Sequence, residues 1–410
     1  MVENTVVEGV RWDTSEQCVV VSVRPGSRHR QRCGECGRPA PCYDAGRGQR
    51  RWRDLDHGTV RVFLEADAPR VDCRVHGPTV TAVPWGRHGA GHTRAFDQQT
   101  AWMAAECSKT ATAELMRTSW RTVGRIVARY VADRDRALDR LAALSRIGID
   151  EISHRKGQKY MTVVVDHDTA RVVWMADGHG KDVLHRFFDD LGAERAARLT
   201  HISADGAGWI ADVLALRTPG AVRVMDPFHV VAWATDALDT ERRASWNRAR
   251  RESGDRETAR ALKDSRFALW KNEADLTDRQ VAKLAWIQVT DPRLHRAWRL
   301  KEALRMVFTL ARTRPTAALN ALDHWIGWAR RCRIDAFVSL QRRIMRHYDA
   351  IRSALITGMS NGLIESTNTK TRLIIRRGFG FHSADAIIAL VMLTLAGDKP
   401  TLPGRQPVTR

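Results

Sequence analysis

The chain lacks a hydrophobic run long enough to cross a membrane. Its best apolar stretch covers residues 386–396, which is shorter than the roughly 18 residues that a spanning helix needs. The N-terminal residues also lack the charged and apolar segments of a secretory signal peptide. These absences predict a cytoplasmic protein with no membrane partner.

Cysteine is scarce and acidic residues are outnumbered. The chain has 7 cysteines, an odd number that argues against a disulfide scaffold and favours free thiols or metal ligands. Its 47 acidic and 67 basic residues leave a net charge of +20. That charge predicts a polyanionic partner, either nucleic acid or an anionic surface. With 410 residues, several domains are expected.

Two pairs of residues near the N-terminus have the spacing of metal ligands. Cys33 and Cys36 lie in a Gly-rich turn, and Cys73 and His76 repeat the same spacing after strand-like segments. Thiolate and imidazole donors suit a structural Zn²⁺ ion. The pattern therefore predicts a zinc ribbon. The alternative is that the second pair is unrelated surface residues, and Cys42 is a weaker candidate ligand.

Three predicted helices then follow, over residues 96–107, 110–116 and 120–131, with a turn before the third. This layout is typical of a helix-turn-helix domain, whose helix after the turn enters the DNA major groove. In the third helix, an apolar stripe lies opposite arginines spaced four residues apart. The sequence predicts DNA contacts by Arg121, Arg125 and Arg129, although a solvated basic face is the common alternative.

A charged connecting helix is predicted over residues 133–146, before the segment with the strongest β pattern. Three strands, a helix, a strand, a helix and a fifth strand then follow over residues 146–226. This is the order of a ribonuclease H-like α/β sheet, in which the first and fourth strands are neighbours. Asp150 and Asp205 would therefore meet. Two adjacent carboxylates repel unless a cation such as Mg²⁺ or Mn²⁺ neutralises them.

Other acidic residues in this region have simpler explanations. Strand alternation sends Glu151 to the opposite face from Asp150. Asp166 and Asp168 lie in a predicted hairpin turn, where aspartate is common. Asp226 ends the fifth strand, and His229 follows it. That aspartate either caps the next helix or supports the site from behind.

Residues 230–354 show helical spacing throughout and no strand pattern. Half of the 14 tryptophans lie here. Large rings that pack helices together are the simplest interpretation, and contact with DNA or a partner subunit is the alternative.

The C-terminal region combines polar and basic side chains. In a helix predicted over residues 360–372, Asn361, Glu365, Asn368 and Arg372 share one face, which suggests a surface for metal and phosphate. The alternative is an ordinary exposed Glu365 with a partner on its own helix. Further DNA contacts are predicted for Asn368, Arg372, Arg376 and Arg377, the last two in a Gly-hinged loop. An apolar helix over residues 383–395 is expected to pack on the sheet.

Together these segments resemble the ISL-three family of bacterial insertion-sequence transposases, which are DDE enzymes with a ribonuclease H-like core. The resemblance covers nearly the whole chain. Its markers are Cys33–Cys36 with Arg51–Leu55, Gly148–Glu151 with Arg155–Gly157, Ser203–Asp205, Asp226–His229, and Ser360–Ser366 with Asn368 and Lys370. The family usually has a second cysteine pair where this chain has Cys73 and His76.

The resemblance implies a catalytic triad of Asp150, Asp205 and Glu365, which would hold two Mg²⁺ or Mn²⁺ ions. The position of Asp226 and His229 after the fifth strand predicts that they support this site. The resemblance also implies that a helical insertion separates the second acid from the third. The expected partners are double-stranded DNA, both terminal inverted repeats and target DNA, and a second copy of the chain in a DNA-bound homodimer at the nucleoid. The expected chemistry is DNA strand cleavage and strand transfer. The alternatives are an inactive DNA-binding regulator and a ribonuclease H-like, structure-specific DNA nuclease.

These expectations divide the chain into six parts. They are a zinc-ribbon domain (1–80), a helix-turn-helix domain (81–144), the first part of the catalytic core (145–230), an all-helical insertion (231–355), the second part of the core with Glu365 (356–398), and a disordered tail (399–410).

Overall fold

The structure is a computed structural model that describes residues 4–155, 157, 159–204, 208–251, 254–378 and 380–405. The chain divides into two compact units. One comprises Met1–Asp139 with Leu373–Arg410, and the other comprises Arg140–Arg372. Within the described ranges, no helix is both long and apolar enough to span a membrane.

The strands of the described residues form three sheets. They are β1 (Thr5–Asp13), β2 (Cys18–Pro25), β3 (Cys42–Asp44), β4 (Gln49–Arg53), β5 (Arg61–Asp67), β6 (Arg70–Cys73), β7 (Gly77–Val80), β8 (Arg146–Arg155), β9 (Lys159–Asp166), β10 (Arg171–Asp177), β11 (His201–Ala204) and β12 (Val222–Met225).

The helices of the described residues follow in chain order. They are α1 (Arg94–Glu106), α2 (Lys109–Leu115), α3 (Trp120–Ala137), α4 (Lys181–Leu191), α5 (Ala193–Ala196), α6 (Gly208–Arg217), α7 (Pro227–Arg251), α8 (Arg256–Lys263), α9 (Arg266–Trp270), α10 (Asp278–Thr290), α11 (Pro292–Ala311), α12 (Pro315–Arg331), α13 (Asp335–Arg346), α14 (Tyr348–Thr357), α15 (Gly362–Arg377) and α16 (Ala384–Leu395). Short 3-10 helices cover Ser27–His29 and Glu273–Asp275.

The N-terminal strands of the first unit form two small sheets. One has the order β1-β2-β5-β4 and the other the order β3-β6-β7. In the larger sheet, Trp52 packs edge-to-face on Trp85 with ring centroids 5.5 Å apart, and both rings are buried. Burying such rings supplies much of the apolar area that a small β domain needs.

Three helices then begin at side-chain caps, which confirms the predicted helical segments. The hydroxyl oxygens of Thr93, Ser108 and Ser119 accept backbone N–H groups at the starts of α1, α2 and α3. The predicted connecting helix over residues 133–146 is wrong. The third helix instead continues to Ala137 and ends where Leu138 turns to extended backbone.

The apolar C-terminal helix packs differently from the prediction. α16 lies against α3 and α1 and belongs to the first unit, whereas the five-stranded sheet belongs to the second. Its Ile387, Leu390 and Val391 are buried. The hydrophobic pattern predicts that such a helix is covered, but it does not identify the element that covers it.

The second unit is built around a five-stranded sheet of order β10-β9-β8-β11-β12. β8 runs antiparallel to β9 and parallel to β11, and β11 runs parallel to β12. The five predicted strands and the adjacency of the first and fourth are confirmed. Ile147 and Ile149 of β8 belong to the apolar cluster that includes Leu184, Phe187 and Ile210 of α4 and α6.

The remainder of the second unit is helical. Between Pro227 and Thr357, the described residues contain no strand, as predicted. The seven tryptophans of this region are buried or half-buried, which favours the packing interpretation. Trp233, Trp298 and Trp325 belong to its central apolar cluster.

Candidate functional site

The two predicted zinc-ligand pairs lie together in the first unit. The ligand atoms of Cys33, Cys36, Cys73 and His76, here called the Cys3His cluster, all lie within 4.8 Å of one another. Cys36 Sγ is 3.7 Å from Cys73 Sγ, and His76 Nδ1 is 3.5 Å from Cys33 Sγ and 3.6 Å from Cys73 Sγ. Tetrahedral zinc places sulfur atoms about 3.8 Å apart and sulfur and nitrogen about 3.6 Å apart. The donors and their distances therefore fit Zn²⁺.

The surroundings of the Cys3His cluster support the role of its histidine. Nε2 of His76, the nitrogen that faces away from the sulfurs, lies 3.8 Å from a Glu35 oxygen. Ligating histidines commonly direct their second nitrogen towards a carboxylate. Backbone N–H groups of Val75 and His76 lower the pKa of the Cys73 thiol to about 6, which favours the thiolate. Cys42 is exposed, and its sulfur contacts the carbonyl oxygen of Asp44.

In the second unit, the face of β8 that carries Asp150 lies against α15. Gly148 is on this face, two residues before Asp150, and a Cβ atom there would lie 2.4 Å from Ile364 Cδ1. Ile364 is fully buried. The glycine therefore permits the close approach of α15 to β8. Sequence reasoning included Gly148 only as a family marker.

Asp150 is held by two N–H donors. Asn368 Nδ2 donates to Asp150 Oδ2 at 2.7 Å, and the backbone N–H of Glu151 donates to Oδ1 at 2.8 Å. Asn368 is 4% exposed, so its amide is not at the surface as a DNA contact requires. Asn368 thus contacts Asp150 instead of presenting its amide to solvent, so its burial does not support the DNA contact predicted for it. Periodicity places Asn368 near Glu365 but does not identify a partner 218 residues away.

Glu151 lies on the opposite face of β8, as strand alternation predicts. Its Oε1 accepts the backbone N–H of Gly180 at 2.9 Å. Asp166 is also structural, because its carboxylate accepts the Asp168 N–H and the Thr169 hydroxyl within the hairpin turn.

Asp205, the second predicted acid, lies outside the described residues. The described part of β11 ends at Ala204, which pairs with Ile149 of β8. The next residues along the two chain segments are Asp205 and Asp150.

Glu365 lies in the first turn of α15 and is exposed. The predicted common face of this helix is split in the structure. Asn361 and Asn368 are buried, whereas Glu365 and Arg372 are exposed beside them. The buried face instead contains Ile364, Thr367 and Thr371, because the helix packs on β8 by this side. Glu365 therefore stands at the edge of the buried face and lines an adjoining cleft.

Asp226 joins the start of α7 to the start of α15. It is 3% exposed; its Oδ2 lies 3.0 Å from His229 Nδ1, and its Oδ1 accepts the backbone N–H of Asn361 at 3.3 Å. The contact with Asn361 was not predicted. Asp226 thus holds the backbone just before Glu365, and the supporting role of Asp226 and His229 stays a prediction.

On α3, the three predicted arginines differ in their surroundings. Arg121 and Arg125 are exposed. A guanidinium nitrogen of Arg129 lies 3.8 Å from Asp97, a buried carboxylate that also accepts a hydrogen bond from Arg87 at 2.8 Å. The first two are therefore available to a partner, whereas Arg129 takes part in an internal ion pair.

The predicted basic loop after Arg372 begins later than expected. Arg376 and Arg377 belong to the last turn of α15, and Phe379 lies outside the described residues. Arg377 donates to the carbonyl oxygens of Ala105 and Glu106 at 2.7 and 2.9 Å, so it caps the C-terminal end of α1. The guanidinium for which a DNA contact is predicted is thus engaged within the first unit. Arg372 and Arg376 are exposed.

The described part of the C-terminal tail, residues 399–405, contacts α1 within the first unit. Lys399 Nζ pairs with Glu106 at 3.0 Å, and Gln98 donates to the Thr401 hydroxyl at 3.0 Å. The disordered tail over residues 399–410 stays a prediction, and residues 406–410 lie outside the described part of the chain.

Three models of known protein families match successive regions of the chain. A DDE family model described as "Transposase" matches residues 147–391. "Helix-turn-helix domain of transposase family ISL3" matches residues 81–131, and "zinc-finger of transposase IS204/IS1001/IS1096/IS1165" matches residues 29–76.

Two similar curated proteins are full-length matches. A transposase for insertion sequence element IS1557 from Mycobacterium tuberculosis (strain CDC 1551 / Oshkosh) is 57% identical, over 98% of this chain and 95% of that protein. A transposase for insertion sequence element IS1001 from Bordetella parapertussis is 24% identical, over 96% of this chain and 95% of that protein. With three family models in the expected order and a relative of 57% identity, the chain belongs to the ISL3 (ISL-three) family of insertion-sequence DDE transposases.

Proposed function

We propose that this transposase binds the terminal inverted repeats of its insertion sequence and catalyses metal-dependent DNA cleavage and strand transfer there. The observation that carries the proposal is Asp150 on the central strand, hydrogen-bonded to Asn368 on the helix that also bears Glu365. The strand order 3-2-1-4-5 with helices on the sheet supports a ribonuclease H-like core.

Asp150, Asp205 and Glu365, here called the acidic site, are the proposed catalytic residues. Carboxylate oxygens are the donors that Mg²⁺ or Mn²⁺ prefers, so this donor set fits two such ions. Bound ions would lower the pKa of an attacking water or 3′-hydroxyl and stabilise the leaving oxygen.

The other residues of the region are proposed to position this chemistry. The Asn368 amide restrains Asp150, so that one carboxylate oxygen keeps a fixed direction. Asp226 restrains the backbone just before Glu365 through the Asn361 N–H, and His229 in turn contacts Asp226. Fixed donors reduce the reorganisation that ion binding and catalysis require.

DNA recognition is assigned to the first unit. The zinc ribbon and α3, with Arg121 and Arg125 exposed, are proposed to contact the terminal repeats. Arg372 and Arg376 are proposed as further phosphate contacts. The net charge of +20 supports a large DNA surface for both ends and target. We propose that a homodimer pairs the two ends with help from the helical insertion, and that it acts on the nucleoid in the cytoplasm.

The test is to incubate the full-length protein with DNA that carries the element's ends and with Mg²⁺, then to map 3′ nicks. Nicks at the element boundary with the wild type, and their loss in Asp150→Ala without loss of end binding, are the expected results. Cleavage by Asp150→Ala at the wild-type rate contradicts the proposal.

A further inference from the structure

A cleft of about 470 Å³ opens beside Glu365 within the second unit. Its walls come from the start of α7, the end of α11 and the segment from α14 to α15. The volume lies in the range of sites that bind a small ligand or one substrate group. The helical region therefore contributes directly to the surroundings of a proposed catalytic residue.

Two aromatic rings line this cleft. Phe228, two residues after Asp226, is 65% exposed, and Phe308 of α11 is half-buried. A single exposed ring carries little information by itself. Here the exposed ring belongs to a concave site with a second ring, which offers an aromatic face to a flat apolar group.

Arginines supply the cationic part of the same cleft. Glu302 accepts hydrogen bonds from Arg305 Nε at 3.0 Å and Nη2 at 2.8 Å, which fixes that guanidinium in place. Arg312, at the C-terminal end of α11, is exposed. Guanidinium groups bind phosphate through planar pairs of N–H donors. On the opposite wall, Asp226 is buried by its own partners, so Glu365 is the exposed acid among the described residues that line the cleft.

We infer that this cleft receives one unpaired nucleotide of the DNA next to the phosphate that is cleaved. Its base stacks on Phe228, and its backbone phosphate contacts Arg312 and the fixed Arg305. A pocket of this size admits a nucleotide but not a base-paired duplex. Stacking on an aromatic ring accepts any base, because every base has a π face. The inference rests on the proposed function, since Glu365 marks the cleavage point.

The first test measures base unpairing without cleavage. Full-length protein is mixed, without divalent metal, with end DNA that carries 2-aminopurine at successive positions across the element boundary. We expect a fluorescence change characteristic of unstacking at one position with the wild type, and its loss with Phe228→Ala. Phe267→Ala is the matched control, because Phe267 is 68% exposed in the same unit but does not line the cleft.

The second test measures cleavage with Mg²⁺ on three DNAs: fully paired, mismatched at the position found above, and abasic there. Removing the stacking ring is expected to slow cleavage of paired DNA about 5- to 150-fold, the range measured for base–aromatic stacking. A mismatch lowers the cost of unpairing. It should therefore partly restore cleavage by Phe228→Ala, while Phe228→Trp stays near the wild-type rate on all three.

The arginines are tested in the same assay. Arg312→Ala is expected to slow cleavage and lower its salt dependence, whereas Arg312→Lys keeps much of the rate and Arg330→Ala, an exposed control on α12, has no effect. End binding and melting temperature are measured for every variant, so that a folding defect is recognised separately.

The outcomes separate this inference from the proposed function. A fluorescence change that depends on Phe228 supports the inference even if no DNA is cleaved, in which case the proposed function alone fails. The inference is overturned if the wild type gives no position-specific fluorescence change. It is equally overturned if Phe228→Ala matches the wild type on paired DNA, or loses the same activity on paired, mismatched and abasic DNA.

Discussion

The Cys3His cluster and the proposed acidic site both consist of residues whose side chains suit metal binding, but their described residues come together in different ways. The four donors of the Cys3His cluster come from two short turns at most 43 residues apart, and their mutual distances already match a tetrahedral ion. Asp150 and its partner Asn368 are 218 residues apart and meet only because a helix packs on a sheet. The first site depends on turn geometry, and the second depends on the packing of the whole second unit.

This difference explains how much of each site could be predicted. Paired spacing identifies all four donors of the Cys3His cluster, because two ligands of one turn necessarily lie close together. For the proposed acidic site, alternation and strand order favour Asp150 over Glu151. They do not show that Asn368 contacts Asp150, or that Asp226 contacts the N–H of Asn361. Those contacts depend on the direction in which α15 crosses the sheet, which no local pattern encodes.

The same limit applies to the fold. The five strands of the sheet and the first three helices were predicted from periodicity and caps. The partner of α16 was not, because an apolar helix has the same pattern against a sheet as against α3. Similarly, the arginine stripe predicted the same DNA-contact role for Arg121, Arg125 and Arg129. Only the structure shows that Asp97 is close to Arg129.

Zinc removal should have the largest effect and distinguishes the two sites directly. Structural zinc contributes roughly 10–16 kcal/mol of apparent binding free energy in small zinc domains, so its loss should unfold the ribbon. Cys36→Ser and His76→Ala are expected to lose zinc and the melting transition of the zinc ribbon, as measured by metal analysis and calorimetry. His76→Cys and Cys42→Ser should retain both. Removing Mg²⁺ should leave the melting profile almost unchanged.

A substitution of Gly148 tests the packing on which the acidic site depends. In Gly148→Val the side chain collides with Ile364, which should cost roughly 1–3 kcal/mol of stability. A displacement of α15 by about 1 Å should slow cleavage on the order of 100-fold. Gly220→Ala is the control, because a Cβ there meets no atom within 4 Å among the described residues. Normal cleavage by Gly148→Val shows that the close approach is unnecessary.

Asn368 tests positioning within the acidic site. Without its amide, Asp150 loses one orienting donor, and divalent metal affinity should fall roughly 10- to 100-fold, as for other residues that orient metal ligands. The readouts are Mn²⁺ binding by paramagnetic resonance and the metal concentration at half-maximal cleavage. We expect extra Mn²⁺ to rescue Asn368→Ala partly. The exposed neighbour in Thr369→Ala provides the control. An unchanged metal requirement in Asn368→Ala contradicts the positioning role.

Substitutions of the α3 arginines test which members of the arginine stripe contact DNA. Arg121→Ala and Arg125→Ala should each weaken end binding by roughly 1–3 kcal/mol if they contact bases, or lower the salt slope by about 1 if they contact phosphate. Arg129→Ala should mainly lower the melting temperature, since Asp97 loses a cation. Arg136→Ala, with a side chain that is 79% exposed on the same helix, is the control. Equal losses of end binding in all four variants would contradict the proposal that Arg121 and Arg125 contact DNA while Arg129 stabilises the fold.

The most direct test compares Glu151, the residue after Asp150, with Glu365, which lies one turn before Asn368 on α15. Glu365→Gln and Glu151→Gln are measured side by side for end binding and for Mg²⁺-dependent cleavage of end DNA. Loss of a metal ligand removes several kcal/mol of transition-state stabilisation, so Glu365→Gln should cleave at least about 100-fold more slowly with unchanged binding. Glu151→Gln keeps the acceptor for Gly180 and should cleave at nearly the wild-type rate. Normal cleavage by Glu365→Gln, or an equal loss in both variants, contradicts the assignment of the acidic site.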